Sequence, residues 1–168
     1  MHNPKYLLEL KTRAEKALNS EPPDGLAGFT LTWTFWEAVQ RRMLILACKR
    51  EGWTVAQADK SLVPVRYDNR SFTRLYKTIT SGQNWEESLP LPARKIWPAI
   101  SQAMTLRERI IHGTSRTGDI RLQAAAWKIL HFADLLRDHP LGDPFKELPN
   151  RARKTRTDES LREIVEKG

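Results

Sequence analysis

The stretch from Thr32 to Glu51 constrains this chain most: it holds neither proline nor glycine, and at its centre Met43-Leu44-Ile45-Leu46-Ala47-Cys48 is apolar on every side. Trp36, Val39, Met43, Leu46 and Ala47 fall on one face at helical spacing. A helix that is apolar all round has to be enclosed by other elements. The stretch therefore predicts a central, buried helix, stopped at Gly52, where glycine tolerates the left-handed residue that ends many helices.

The rest of the chain is also helical in pattern, punctuated by proline and glycine, with no convincing repeat and no low-complexity segment. A first helix is predicted from Pro4 to Asn19, broken by Ser20-Glu21-Pro22-Pro23-Asp24-Gly25. Short helical pieces are predicted from Val55 to Leu62 and from Ser71 to Thr80. Leu89-Pro90-Leu91-Pro92 reads as an extended connector. Beyond it, Ala93 to Trp97 and Pro98 to His112 form two helices or one kinked at Pro98. The last long helix, Gly118 to Arg137, points Leu122, Ala126, Ile129, Leu130, Ala133 and Leu136 inward. The expectation is an all-α fold, a compact helical bundle of about five helices over residues 1–140. Residues 141–168, with Pro140, Pro144 and Pro149 followed by Arg151-Ala152-Arg153-Lys154-Thr155-Arg156, read as a basic C-terminal arm or partly disordered tail carrying a short helix from Asp158 to Glu166.

The chain has 168 residues, 40% of them hydrophobic, enough for one core and too few for two full domains. Its single cysteine, Cys48, excludes an intramolecular disulfide and a thiolate zinc site and reads as a core residue. The start lacks the apolar region of a signal peptide, and no apolar run approaches ~20 residues, so the chain is read as soluble, cytoplasmic and without a membrane partner. Lys and Arg number 28 against 20 Asp and Glu, a formal charge of +8 that suits nucleic acid, an anionic surface or an acidic partner. No His, Cys, Asp and Glu spacing suggests metal ligands and no Gly-rich phosphate loop is present, so neither metal nor cofactor is expected.

Chemistry concentrates in Pro98–His112. On a helix, Ile100, Ala103, Met104, Ile110 and Ile111 share a stripe, and the gap in that stripe is filled by Arg107. A guanidinium at a buried position needs a carboxylate, a carbonyl or a ligand phosphate, and Glu37 on the central helix is one candidate partner. A salt bridge that merely holds the bundle together is the competing explanation. The neighbouring stripe is polar: Ser101, Thr105, Glu108 and His112 follow one another at three- and four-residue steps. Glu108 can accept a hydrogen bond from the imidazole of His112 one turn on, and the helix end favours the imidazolium while Arg107, Arg109 and Arg116 oppose it. Of the other histidines, His131 reads as core or interface and His139 as a turn. Trp36 and Trp127 read as core, whereas Trp53 and Trp85 lie near helix breakers and read as candidates for exposure.

Leu106-Arg107-Glu108-Arg109-Ile110-Ile111-His112-Gly113 resembles the Arg-x4-His signature of the HEPN superfamily, small helical bundles that include toxin, anti-phage and CRISPR-associated ribonucleases. It ends a late helix in an all-helical chain and follows a helix bearing Trp33, Phe35, Trp36 and Glu37. The likeness spans roughly residues 30–137 in architecture and those eight residues in motif. The sequence departs from the pattern in having Glu108 where Asn, Asp or His usually follows the arginine. It departs again at Thr114, where members paired with a nucleotidyltransferase have a tyrosine.

The resemblance implies a metal-independent endoribonuclease that works as a homodimer with a composite site, leaving 2′,3′-cyclic phosphate and 5′-hydroxyl ends, in a toxin or anti-phage defence setting with a cognate antitoxin or other regulatory protein. His112 would be the acid and base, Arg107 the phosphate clamp and Glu108 the orienter of His112. Arg109, Arg116, Arg121, Arg151, Arg153, Lys154 and Arg156 would contact the RNA backbone. The alternatives are a non-catalytic HEPN-like module that binds RNA, nucleotide or a partner protein, and a helix-turn-helix DNA binder, for which no suitably placed recognition helix is found.

Overall fold

A computed structural model of the chain describes residues 3–65, 67–111, 118–150 and 156–167. Among these residues all regular structure is helical: α1 (Pro4–Leu18), α2 (Gly25–Glu51), α3 (Val55–Ser61), α4 (Asn69–Ile79), α5 (Trp85–Ser88), α6 (Leu91–Ile111), α7 (Asp119–Leu135) running into a 3-10 turn (Leu136–Asp138), and α8 (Asp158–Lys167). The fold class is all-α, as expected. Eight α-helices rather than about five are present among the described residues: α3, α4 and α8 stand close to the short pieces expected there, and α5 was not expected. No helix among the described residues is long and apolar enough to cross a membrane.

The central helix is α2, packed most extensively against α1 and α7. Phe35, Trp36, Val39, Met43, Leu44, Ile45, Ala47 and Cys48 are wholly buried on it, and Trp36 meets the edges and faces of Trp97 and Phe132. Burial pushes the Cys48 thiol up to about 12, which keeps it a protonated core group. Gly52 closes the helix at φ 109°, letting Trp53 N–H return to the Cys48 carbonyl at 3.0 Å. The helix begins at Gly25, seven positions before the predicted start at Thr32. Asp24 caps it by accepting from Ala27 N at 2.8 Å. Its two early glycines weaken the helical signal yet are required by packing. A Cβ at Gly25 would lie 2.5 Å from Asp119 Oδ1, and one at Gly28 would lie 2.4 Å from Leu18 Cδ2. Close approach to α7 and α1 outweighs propensity here.

Helix α6 runs unbroken through Pro98, so the stretch from Ala93 to Ile111 is one helix. Leu91 and Pro92 form its first turn instead of an extended connector, since a first turn has no use for the proline N–H. Every predicted inward residue of α7 is buried. Three aromatic assignments are corrected: Trp127 is 40% exposed, whereas Trp53 and Trp85 are buried. His131 is exposed, on the outer side of α7, and not a core residue of this chain.

The described parts of 141–168 are built into the body, in contrast to the expected arm. Phe145 stacks on Phe35 with centroids 6.1 Å apart, and the buried Arg42 donates from Nε to the Pro144 carbonyl at 3.1 Å and from Nη2 to the Lys146 carbonyl. Further on, Trp53 Nε1 donates to the Thr157 carbonyl at 3.1 Å, Arg156 lies 4.7 Å over the Trp53 ring, and α8 buries Leu161 against α3 and α4.

His139, read as a turn residue, is buried at the end of the 3-10 turn and stacks on Trp85 at 5.3 Å. Its Nδ1 accepts from Leu141 N at 3.1 Å, which places the ring proton on Nε2, 3.2 Å from Ser88 Oγ. The nitrogen facing the hydroxyl therefore donates, and Ser88 is not activated as a nucleophile. Burial, aided by the positive charge of Arg50, pushes the imidazole down to about 4 from 6.5. The unfolded chain takes up this proton first as pH falls, so the stabilisation is complete above pH 6.5 and is lost on descending to about 4. Urea denaturation of wild type is expected to show a loss of roughly 3 kcal/mol at most over that window from this group. His139→Gln should flatten that part of the profile; an unchanged slope would assign the pH dependence to other groups.

Candidate functional site

Helix α6 carries Ile100, Ala103 and Met104 into the core, and the next inward position is Arg107. Ile110 packs partly against the core, while Ile111, predicted for the same stripe, is 58% exposed. Arg107 sits where the buried stripe gives way to a cleft. Its guanidinium lies 5.8 Å over the Trp33 ring, Nη2 is 3.5 Å from Glu37 Oε1 and Nη1 is 2.5 Å from Glu108 Oε1. Its Nε is buried with no acceptor among the described residues. Glu37 is held from below by Trp33, one turn earlier on α2, whose indole Nε1 donates to the same Oε1 at 2.8 Å. The helix crossing thus brings Arg107 together with Glu37 and Glu108. The contact seen for Glu108 is with Arg107; the expected contact with His112 lies outside the described residues, as do His112, Arg116, Arg151, Arg153 and Lys154 themselves.

The cleft has a volume of about 990 Å³. Ser101, Thr105 and Glu108 line it, so the polar stripe of α6 faces the same space as Arg107. Its other wall comes from Val65, Tyr67, Asp68 and Arg70 at the start of α4, residues the sequence reading missed. Asp68 is committed as the α4 cap: burial alone would raise its carboxyl, but bonds from Ser71 N at 2.8 Å and Ser71 Oγ at 2.7 Å hold it below the ordinary value. Arg70 is exposed, and its guanidinium has no carboxylate partner among the described residues. The signal that could have singled out this wall is the Asp68-x2-Ser71 cap, which fixes a helix start and with it the position of Arg70.

Arg109 and Arg121 are exposed on α6 and α7 and do not line the cleft. Arg156, expected on RNA, is stacked on Trp53, with its main chain joined to Gly52 and Gln57. The cleft is not uniformly basic: Glu37, Asp68 and Glu108 share it with Arg70 and Arg107. Among the described residues no group of three or more His, Cys, Asp or Glu side chains gathers as metal ligands.

No family model matches the chain, and neither a curated protein nor a solved structure matches it.

Proposed function

We propose that the chain is a HEPN-type, metal-independent endoribonuclease that acts as a homodimer. The observation that carries this reading is the position of Arg107: a guanidinium set over an aromatic ring at the edge of a cleft, beside the polar stripe Ser101, Thr105 and Glu108, whose next step in the sequence is His112. RNA supplies its own nucleophile. A neutral His112 removes the proton of the ribose 2′-hydroxyl, the oxygen attacks phosphorus, and the bond from phosphorus to the 5′-oxygen breaks as a second, protonated imidazole hands its proton to that oxygen. Arg107 donates to the phosphoryl oxygens as charge builds on them. The products are a 2′,3′-cyclic phosphate and a 5′-hydroxyl. The reaction gains from one acid and one base, and a twofold pair of chains supplies both. Ile120 and Trp127, seven residues apart on α7 and exposed, offer apolar area that a second copy would cover. A cytoplasmic toxin or defence role, with an antitoxin or other regulatory protein restraining it, follows from the hazard of such an activity to its own cell.

The test is direct. Purified protein incubated with single-stranded RNA in EDTA is expected to generate 2′,3′-cyclic phosphate ends, with the cleaving species sedimenting as a dimer. Cleavage abolished by EDTA, or ends bearing 5′-phosphate, would overturn the mechanism. A second reading, a non-catalytic helical module that binds RNA, nucleotide or a partner protein, is favoured by one observation: Arg107 is already met by two carboxylates. Intact RNA after incubation would support it.

A further inference from the structure

The pairing around Arg107 bears on how the cleft would accept a phosphate, and the inference rests on the reading of Arg107 as the phosphate clamp. Two carboxylates meet this guanidinium, and they differ in exposure. Glu37 is fixed by the Trp33 indole as well as by Arg107, and its side chain is 34% exposed. Glu108 is adjacent to Arg107 in the chain, and its side chain is 51% exposed. An anion binding at Arg107 meets Glu108 as a like charge on the donors that it needs. Arg70, which also lines the cleft, has no carboxylate to displace among the described residues.

We propose that Arg70 and Arg107 together form a phosphodiester-binding subsite which Glu108 closes: the Glu108 carboxylate occupies the Arg107 donors at rest, and a backbone phosphate displaces it while Arg70 provides the second guanidinium. The residue that departs from the family pattern then acts as an internal competitor for the clamp. Its displacement is feasible because an ion pair at this exposure is weak and exchanges with solvent. A phosphate held by two guanidinium groups gains charge-assisted bonds that a single one cannot give. Glu37 stays in place and keeps Arg107 aimed at the cleft, its buried Nε leaving only the two terminal nitrogens to meet the ligand.

The experiment measures binding of a fluorescein-labelled single-stranded oligodeoxyribonucleotide by anisotropy at low salt. This probe keeps the phosphodiester and lacks the 2′-hydroxyl, so it is not consumed. Glu108→Gln is expected to bind it about 5- to 10-fold more tightly than wild type, and Arg70→Ala about 10-fold more weakly. The double variant should fall near or below wild type. Both positions are exposed, and far-UV circular dichroism checks that the fold is kept. Glu108→Gln binding no more tightly, or Arg70→Ala binding equally well, overturns the proposal, as does the absence of binding by all variants. Failure of the ribonuclease reading is a separate result: intact RNA with these affinity changes in place leaves the subsite standing, whereas cleaved RNA without them removes the subsite alone.

Discussion

Replacing His112 by alanine is expected to lower RNA cleavage by about 10²- to 10⁴-fold, the range that a positioned acid–base group contributes. Arg107→Ala should lower it by about 10²- to 10³-fold, as loss of a donor to the charge-bearing oxygens does. The two variants differ in what they report. His112 lies outside the described residues, and its role rests on the sequence alone, whereas Arg107 has a described ion pair with Glu37. That pair is about one-third exposed on both sides, so its loss should cost at most about 1 kcal/mol of stability. A folded Arg107→Ala protein that no longer cuts RNA therefore speaks for a phosphate clamp. One that loses several kcal/mol and still cuts would make Arg107 a structural residue. Cleavage by the folded His112→Ala variant would remove the catalytic proposal outright. Mixing His112→Ala with wild-type chains extends the test: in a composite site each mixed dimer has one imidazole, and activity should fall below the wild-type fraction of the mixture.

What the sequence made legible follows from where the deciding contacts are. The interior of α2 is readable because it is apolar all round, and the inner face of α7 because its residues keep helical spacing without interruption. The approach of Arg107 to Glu37 could be foreseen because each is a charge set into an apolar context, and two such charges on helices that must pack have reason to meet. The start of α2 was hidden by Gly25 and Gly28, whose value is the closeness of other helices, something local propensity does not register. Arg70 and Tyr67 were missed because they belong to a stretch with weak periodicity and reach the cleft only through the packing of α4. The attachment of the described residues after Pro140 to the body was missed for a similar reason. Its anchors are Arg42, Gly52 and Trp53, about a hundred residues earlier in the chain, and charge composition near the end says nothing about them.

Those anchors imply a large effect at a residue far from the cleft. Arg42 lies on the central helix at 2% exposure, and burial pulls its guanidinium below the ordinary value while nearby Glu147 opposes the shift. Its bonded partners include the carbonyls of Pro144 and Lys146, backbone groups that no side-chain change can remove. Arg42→Met fills much of the space and removes the desolvation cost of the cation, yet it takes the charged donor away from both carbonyls, of which that of Pro144 is buried. Two hydrogen bonds from a charged group at roughly 1.5–3 kcal/mol each, less the recovered desolvation, give an expected loss of about 3 kcal/mol. In a chain of this length that lowers Tm by roughly 6–12 °C. The loss should be concentrated locally as well: limited proteolysis is expected to cut between Pro140 and Thr157 before the helical body, because the segment loses its tie to α2. Arg42→Lys, which keeps the charge but not the planar fork, should fall between the two proteins. An Arg42→Met variant with wild-type stability and wild-type proteolysis would mean that water reaches those carbonyls and that Phe145, Trp53 and Leu161 hold the C-terminal segment without help from the buried guanidinium.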